Sequence, residues 1–231
     1  MFNNFFQRLY DQFIAGDGFS RLLEGLKNTM LIALFGLIIG VVLGVLLAIM
    51  RVIPGNTVFG KICNTVSKIY ITVIRGIPLV VLLLLGYYGI FGPMGASALV
   101  VGIAIFGINS GAYVAEIVRS GIQAVDKGQM EAGRSLGLSY STTMLKIILP
   151  QAVKNILPAL GNEFIVLIKE TSVAGFITVF DLTRAGREIV SKTYDAFVPY
   201  IVLAAVYLVL VLAATYLVGL LERRLSKSDN R

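Results

Sequence analysis

The chain has 231 residues, 57% hydrophobic and only 14% charged, against roughly 25% charged in an ordinary soluble domain, so it cannot clothe a water-facing surface and belongs in a bilayer. The absence of histidine and the single cysteine, Cys63, exclude imidazole metal sites, intrachain disulfides and cysteine-rich metal clusters, and no cofactor is expected. The formal charge of +7 is read as positive residues flanking apolar spans, an orientation signal and not a nucleic-acid footprint.

The N-terminal stretch from Met1 to Phe19 alternates aromatic with polar residues. It lacks a positive leader followed by an apolar run and a small-residue cleavage site, so no signal-peptide processing is expected. From Thr29 to Met50 the chain is uncharged and long enough to cross about 30 Å of hydrocarbon at ~1.5 Å per residue. Gly36, Gly40 and Gly44 recur along this first span at intervals of four, a smooth face suited to close helix packing, although glycine is also simply common in membrane helices.

A second apolar run, Ile69 to Phe91, is interrupted by Arg75, Gly76 and Pro78. Pro78 lacks an amide proton and clashes with the preceding turn, so a kink or a late helix start is expected. After Gly92, Pro93 and Gly95, a third run from Ala96 to Val118 carries the polar pair Asn109 and Ser110, expected to face protein. The fourth runs from Ile156 to Ile168 and on through Thr171 to Val179, broken by Pro158, Asn162, Glu163, Lys169 and Glu170. A lipid-facing helix would not carry such groups, which makes Asn162, Glu163, Lys169 and Glu170 the candidate substrate path. Glu163 can meet an amino group or a cationic side chain, or equally serve a helix–helix hydrogen bond or an ion pair with Lys169; their spacing of six does not put that pair on one helix face. The fifth run, Phe197 to Leu221, has no charge, and Glu222, Arg223 and Arg224 close it.

These runs predict an all-α integral membrane protein with five transmembrane helices in one domain spanning 1–231. Arg51, Lys61, Lys68 and Arg75, then Arg119, Lys127, Arg134, Lys146 and Lys154, then Arg223, Arg224, Lys227 and Arg231 fall on one side. The opposite side receives fewer cations, and these are partly balanced by acids. The bias puts the N-terminus outside and the C-terminus in the cytoplasm.

The polar segment at about 125–150 then lies in the cytoplasm and reads as two short helices joined at a glycine. Asp126 with Gln129 fits a capping box. Gly137 can take the left-handed conformation that ends the first helix, Ser139 or Ser141 can cap the second, and Pro150 starts the next membrane helix. Leu136, Leu138, Tyr140 and Met144 are too apolar for a freely solvated elbow and suit a groove on another protein, with Glu131 and Arg134 adding directional contacts. An amphipathic linker lying on lipid headgroups is the plainer alternative.

Glu131, Ala132 and Gly133, then three residues, Gly137, nine residues, Ile147, one residue, Leu149 and Pro150 resemble the cytoplasmic EAA loop of ABC importer permeases, departing only at Gly133, where the general pattern has alanine. The run from Arg75 to Pro78, the stretch Ala112 to Ile122, Asn162 to Phe164 and Lys169 to Ser172 are similar to the polar amino-acid uptake branch, which serves glutamine, glutamate, histidine, arginine and opines. The similarity covers about residues 22–222.

The resemblance implies a five-helix type I permease core in a bacterial inner membrane. It implies a second permease subunit, identical or a close paralogue, two cytoplasmic ABC ATPase subunits and an extracytoplasmic solute-binding protein. The expected activity is ATP-driven import of a polar L-amino acid by alternating access. The chain is not itself an enzyme: it has no GxxxxGK[ST] phosphate loop, so nucleotide chemistry must come from the partner. Glu131, Ala132, Gly133, Leu136, Gly137, Leu138, Tyr140, Ile147, Leu149 and Pro150 are the expected ATPase-coupling residues. Glu163 and Glu170 lean the substrate toward a cationic or neutral amino acid. The alternative class is an ion-gradient-driven secondary transporter or channel subunit, in which Glu163, Lys169 and Glu170 would carry the ion.

Overall fold

The computed structural model describes residues 2–52 and 57–226, and among them all regular structure is helical. The elements are α1 (Phe2–Leu9, continued by a π-helical stretch Tyr10–Ile14), α2 (Gly18–Val52), α3 (Val58–Gly76), α4 (Leu79–Leu84, continued by a π-helical stretch Leu85–Phe91) and α5 (Ala98–Gln123). Then follow α6 (Lys127–Ser135), α7 (Tyr140–Thr143, continued as a π-helix over Met144–Ile148), α8 (Leu149–Glu170), a 3-10 helix (Thr171–Ile177), α9 (Leu182–Thr193) and α10 (Phe197–Ser226). Lys227 and Arg231, counted above on the C-terminal flank, lie outside the described residues.

Among the described residues three helices are long and apolar enough to cross a membrane, Gly18–Arg51, Ala98–Gln123 and Phe197–Leu225, or four if the bent pair α3 and α4 is one span. The first span begins well before Thr29, because Leu22, Gly25 and Thr29 turn one buried face inward while Glu24 and Lys27 stay exposed. The run from Ile69 to Phe91 is not one gently kinked helix. Its first part ends α3, Pro78 is extended at φ −57° and ψ 137°, and the next helix departs at 102°. The fourth expected span is α8, whose polar and charged residues leave it outside the apolar set. Its expected continuation through Val179 is instead the 3-10 helix, ended by Thr178 in the left-handed region at φ 67°.

Two helices went unpredicted. In α9, expected as part of a loop, the Asp181 carboxylate caps the N-terminus by accepting from the Thr183 and Arg184 amides, and Leu182, Ala185, Gly186 and Ile189 recur at helical spacing on the buried face. In α1 and its continuation Phe5, Leu9 and Phe13 do the same.

The chain packs as two compact units. In the first (Met1–Leu37, Ile77–Gly107, Ile165–Ala213) Phe13, Leu22, Leu182, Ala185, Ile189, Val198 and Leu203 form a core. Arg8 and Gln12 both donate to Asp195, and the Thr29 hydroxyl accepts from the Leu182 amide at 3.1 Å. In the second (Ile38–Gly76, Ile108–Phe164, Ala214–Arg231) one cluster gathers Leu47, Ile71, Ala112 and Ala115, and another gathers Val125, Ile148, Ala152 and Ile156.

The glycine comb of α2 is a close contact with α5. A Cβ placed on Gly36 would come within 3.1 Å of Phe106 Cβ, one on Gly40 within 2.7 Å of Ser110 Cβ and Oγ, and one on Gly44 within 2.5 Å of Val114 Cβ. Both helices advance four residues per contact, the register of ridges meeting across small residues. Gly44→Val should therefore cost about 1–3 kcal/mol by overpacking, read as a lower unfolding temperature in detergent. Gly219→Ala, where a Cβ meets nothing within 4 Å, should leave it unchanged or raise it.

Candidate functional site: a polar cavity and a helical elbow

The second unit holds a polar cavity of about 450 Å³, lined among others by Arg75, Tyr113, Glu116, Ser120, Asn155 and Glu163. Three helices supply these groups: α3 gives Arg75, α5 gives Tyr113, Glu116 and Ser120, and α8 gives Asn155 and Glu163. Glu163 is only 8% exposed, and the fully buried Ser110 hydroxyl donates to its Oε1 at 2.8 Å. A hydrogen bond to a charged group contributes about 1.5–3 kcal/mol, and without such partners a carboxylate at this depth would be costly to keep ionised. The guanidinium of Arg75 lies 5.0 Å from the Tyr113 ring centroid, a cation–π contact that positions the cation with its hydrogen-bonding edges available.

Glu116 is clamped between two arginines. Arg51 reaches its Oε1 at 2.5 Å and Arg119 its Oε2 at 2.7 Å, while Arg119 also donates to Gln123 at 2.6 Å. Of the path residues expected from the sequence, Glu163 alone lines the cavity. Asn162 and Lys169 are exposed and Glu170 is half-buried; Lys169 and Glu170 belong to the first unit. Arg75 and Glu116 were not assigned to the site by sequence reasoning. The available signal was that each is a charge inside a predicted apolar run.

The elbow forms as its local chemistry dictates. Asp126 caps α6, but by accepting from the Gly128 amide at 2.6 Å, so the cap engages the second helical residue and not Gln129. Gly137 has φ +81°. Its amide donates to the Arg134 carbonyl at 3.1 Å and the Leu138 amide to the Gly133 carbonyl at 3.1 Å, the paired bonds of a Schellman stop. Arg134 donates to the Leu138 carbonyl at 2.9 Å, fastening the turn from outside. Ser139 caps α7 through the Thr142 amide at 3.1 Å.

The candidate coupling residues divide by exposure. Glu131, Ala132, Leu136, Gly137, Tyr140 and Pro150 are exposed, Leu138, Ile147 and Leu149 are half-buried, and Gly133 is buried. Leu136 is the extreme, an apolar side chain 81% exposed on a turn fixed by four hydrogen bonds or caps. Met130 and Met144 face the other way, onto Ile148, Ala152 and Ile156, together with Ile117, Val118 and Ile122 of α5. The elbow thus packs on α5 and α8, which also line the cavity.

The family described as "Binding-protein-dependent transport system inner membrane component" matches residues 24–227. The chain is 39% identical over 216 residues to the probable glutamine ABC transporter permease protein GlnM of Bacillus subtilis (strain 168), covering 93% of this chain and 98% of that one. It is similar to a solved structure described as an amino acid ABC transporter with histidines, at 46% identity and a TM-score of 0.82, covering 89% of this chain and 94% of the other. A methionine ABC transporter, MetNI, in an inward-facing conformation shares the fold at 22% identity and a TM-score of 0.70, covering 88% of this chain and 94% of that one.

Gly133, the one departure from the general loop pattern, has a local cause. A Cβ there would lie 2.5 Å from Thr143 Cγ2 and 2.8 Å from its Oγ1, and Thr143 is fully buried. Gly133→Ala alone should loosen the elbow by about 1–3 kcal/mol, and Thr143→Ala in the same chain should recover most of that. Amide hydrogen exchange over residues 127–148 reads both effects.

Proposed function

The chain belongs to the family of binding-protein-dependent transport system inner membrane components, and we propose from that premise how its second unit moves a polar amino acid. It is the transmembrane subunit of an ABC-type amino-acid importer. ATP hydrolysis resides in a separate partner, and a solute-binding protein completes the system.

The observation that carries the reading is that a buried carboxylate, Glu163, and a guanidinium, Arg75, line one cavity. A zwitterion has complementary ends, so Glu163 receives the α-ammonium group or a cationic side chain and Arg75 the α-carboxylate. An acidic side chain would add a second anion near Glu163 and Glu116. The substrate is accordingly a neutral or cationic polar L-amino acid, a choice supported by the glutamine named for the Bacillus relative and the histidines in the similar structure.

The five spans of the permease core are α2, the bent pair α3 and α4, α5, α8 and α10, with α8 reaching about 33 Å at ~1.5 Å per residue. They act as one permease domain because α2, α5, α8 and α10 each run through both compact units. The N-terminus lies outside and the C-terminus in the cytoplasm, as the cation bias favours. Two copies, or one and a paralogue, pair with two ATPase subunits.

Glu131, Ala132, Leu136, Gly137 and Tyr140 dock in the ATPase, with Leu136 as the apolar anchor. Gly133, Leu138, Ile147, Leu149 and Pro150 hold the elbow to the membrane helices. Closure of the ATPases on ATP pulls the elbow, and through Met144 and Ile148 that pull moves α5 and α8, so the cavity exchanges its opening between the two sides. Asn162, beside Glu163 on α8, serves the path in the second unit, and Lys169 and Glu170 serve it in the first.

Import of radiolabelled amino acid into proteoliposomes containing the full complex tests the assignment. Glu163→Gln should lower the rate at least tenfold with ATPase association intact, the loss of a charge-assisted contact worth about 1.5–3 kcal/mol. Unchanged rate and selectivity would reduce Glu163 to a packing role, and uptake driven by an ion gradient without ATP would replace the importer reading altogether.

A further inference from the structure

The N-terminal segment is not used by the transport mechanism, yet its side chains are sorted into three strips. Phe5, Leu9 and Phe13 pack into the core of the first unit. Asn4, Gln7 and Asp11 are exposed and polar, with Gln7 donating to Asp11 at 3.1 Å. Between these strips run Phe6, Tyr10 and Ile14, respectively 63%, 54% and 63% exposed. A segment of thirteen residues in helical form is about 20 Å long at ~1.5 Å per residue, too short to cross about 30 Å of hydrocarbon.

We propose that residues 2–14 form an interfacial helix lying along the membrane surface, with Phe6, Tyr10 and Ile14 sunk into the boundary between headgroups and acyl chains. Three observations commit the strip to lipid. First, the helix is seated beside α10, an apolar helix long enough to cross a membrane and only 6% buried over its apolar window, so the surface next to it is an uncovered apolar one. Second, an apolar groove of about 450 Å³ runs between Phe5, Leu9 and Leu26 on one side and Val202, Val206 and Leu210 on the other. It carries the lipid-facing surface of α10 up to the helix and offers a bed for one acyl chain. Third, aromatic residues gather where α10 begins: Phe5 stacks edge-on with Phe6 at 5.6 Å and with Phe197 at 6.4 Å, and Phe197 and Tyr200 are 65% and 44% exposed. Tyrosine rings collect at this depth of a bilayer, and a helix with phenylalanine or leucine on one apolar face and a polar back is the form that lies in its plane.

The docking is fixed from the polar side. Arg8 pairs with Asp195 at 2.6 Å and Gln12 donates to the same carboxylate at 2.8 Å, so the helix cannot roll its apolar strip away from the lipid.

The chain has no tryptophan, which makes single-tryptophan reporters unambiguous. Phe6→Trp, Ile14→Trp and Gln7→Trp are each prepared in the full chain and reconstituted in phosphatidylcholine bilayers with and without lipids brominated on the upper acyl chain. The expected result is blue-shifted emission for Phe6→Trp and Ile14→Trp, quenched at least threefold more strongly by brominated lipid than Gln7→Trp. Gln7→Trp should instead be quenched by aqueous iodide. Equal quenching at the three positions would overturn the proposal. So would shielding of Phe6 and Ile14 from both quenchers, which would mark the strip as a contact with a second permease subunit. A blue shift appearing only on adding the binding protein would assign the strip to that protein and overturn it equally.

Discussion

The packing of the second unit turns on the space that Gly40 leaves empty. A methyl group there would stand 2.7 Å from both Cβ and Oγ of Ser110, so any larger residue would push the serine from its place. That hydroxyl donates to the buried carboxylate of Glu163, which lines the cavity. One absent side chain on α2 therefore sets the position of α5, and through α5 the orientation of a carboxylate on α8. Tyr70 adds a second fastening by donating to the Ile108 carbonyl at 2.7 Å, and Ser67 a third by donating to the Leu47 carbonyl at 3.1 Å. Membrane helices gain little from the hydrophobic effect between themselves, so close approach and interhelical hydrogen bonds carry the association.

The elbow, in the mechanism we propose, answers a different need, that of transmitting force from a water-soluble partner into helices embedded in lipid. Its turn is closed by backbone bonds at both ends of Gly137 and braced by Arg134, which makes it a stiff handle. Its inner face is methionine and isoleucine packed on α5 and α8, and its outer face leaves Leu136 almost bare. In the mechanism proposed here the partner grips the outer face and the inner face moves the two helices that carry Glu116, Ser120, Asn155 and Glu163. Chemistry and energy supply are thus kept on separate chains. In that mechanism this chain contributes geometry: a cavity lined by charges of both signs and a lever attached to its walls.

Much of this could be read from the residues. The comb of Gly36, Gly40 and Gly44, the left-handed Gly137 and the Ser139 cap all rest on local rules in which the residue type nearly dictates the backbone or the contact. The cavity could not be read in the same way, because Arg75, Glu116 and Glu163 lie on three helices and meet only through tertiary packing. Arg75 and Arg119 looked like flanking cations, an assignment that sequence position alone favours. The helices α1 and α9 were hidden for another reason: their apolar residues are spaced for one buried face, but the polar and charged residues between them made α1 look like an irregular N-terminal stretch and α9 like part of a loop. The Asp126 cap shows the limit of motif reading at atomic scale, since the carboxylate bonds Gly128 where the pattern suggests Gln129. At Gly133 the departure from the general loop pattern is explained by Thr143 occupying the space of the missing methyl.

If Ser110 acts on transport by holding Glu163, the two side chains are energetically coupled, and a double-mutant cycle in the reconstituted complex measures that coupling. Initial uptake rates are measured for the unaltered chain, Ser110→Ala, Glu163→Gln and the double variant. Ser110→Ala should slow uptake in the unaltered chain and have almost no further effect once Glu163 is glutamine, giving a coupling of about 1 kcal/mol or more between the two. Fully additive losses, with Ser110→Ala costing as much in the Glu163→Gln chain as in the unaltered one, would contradict it.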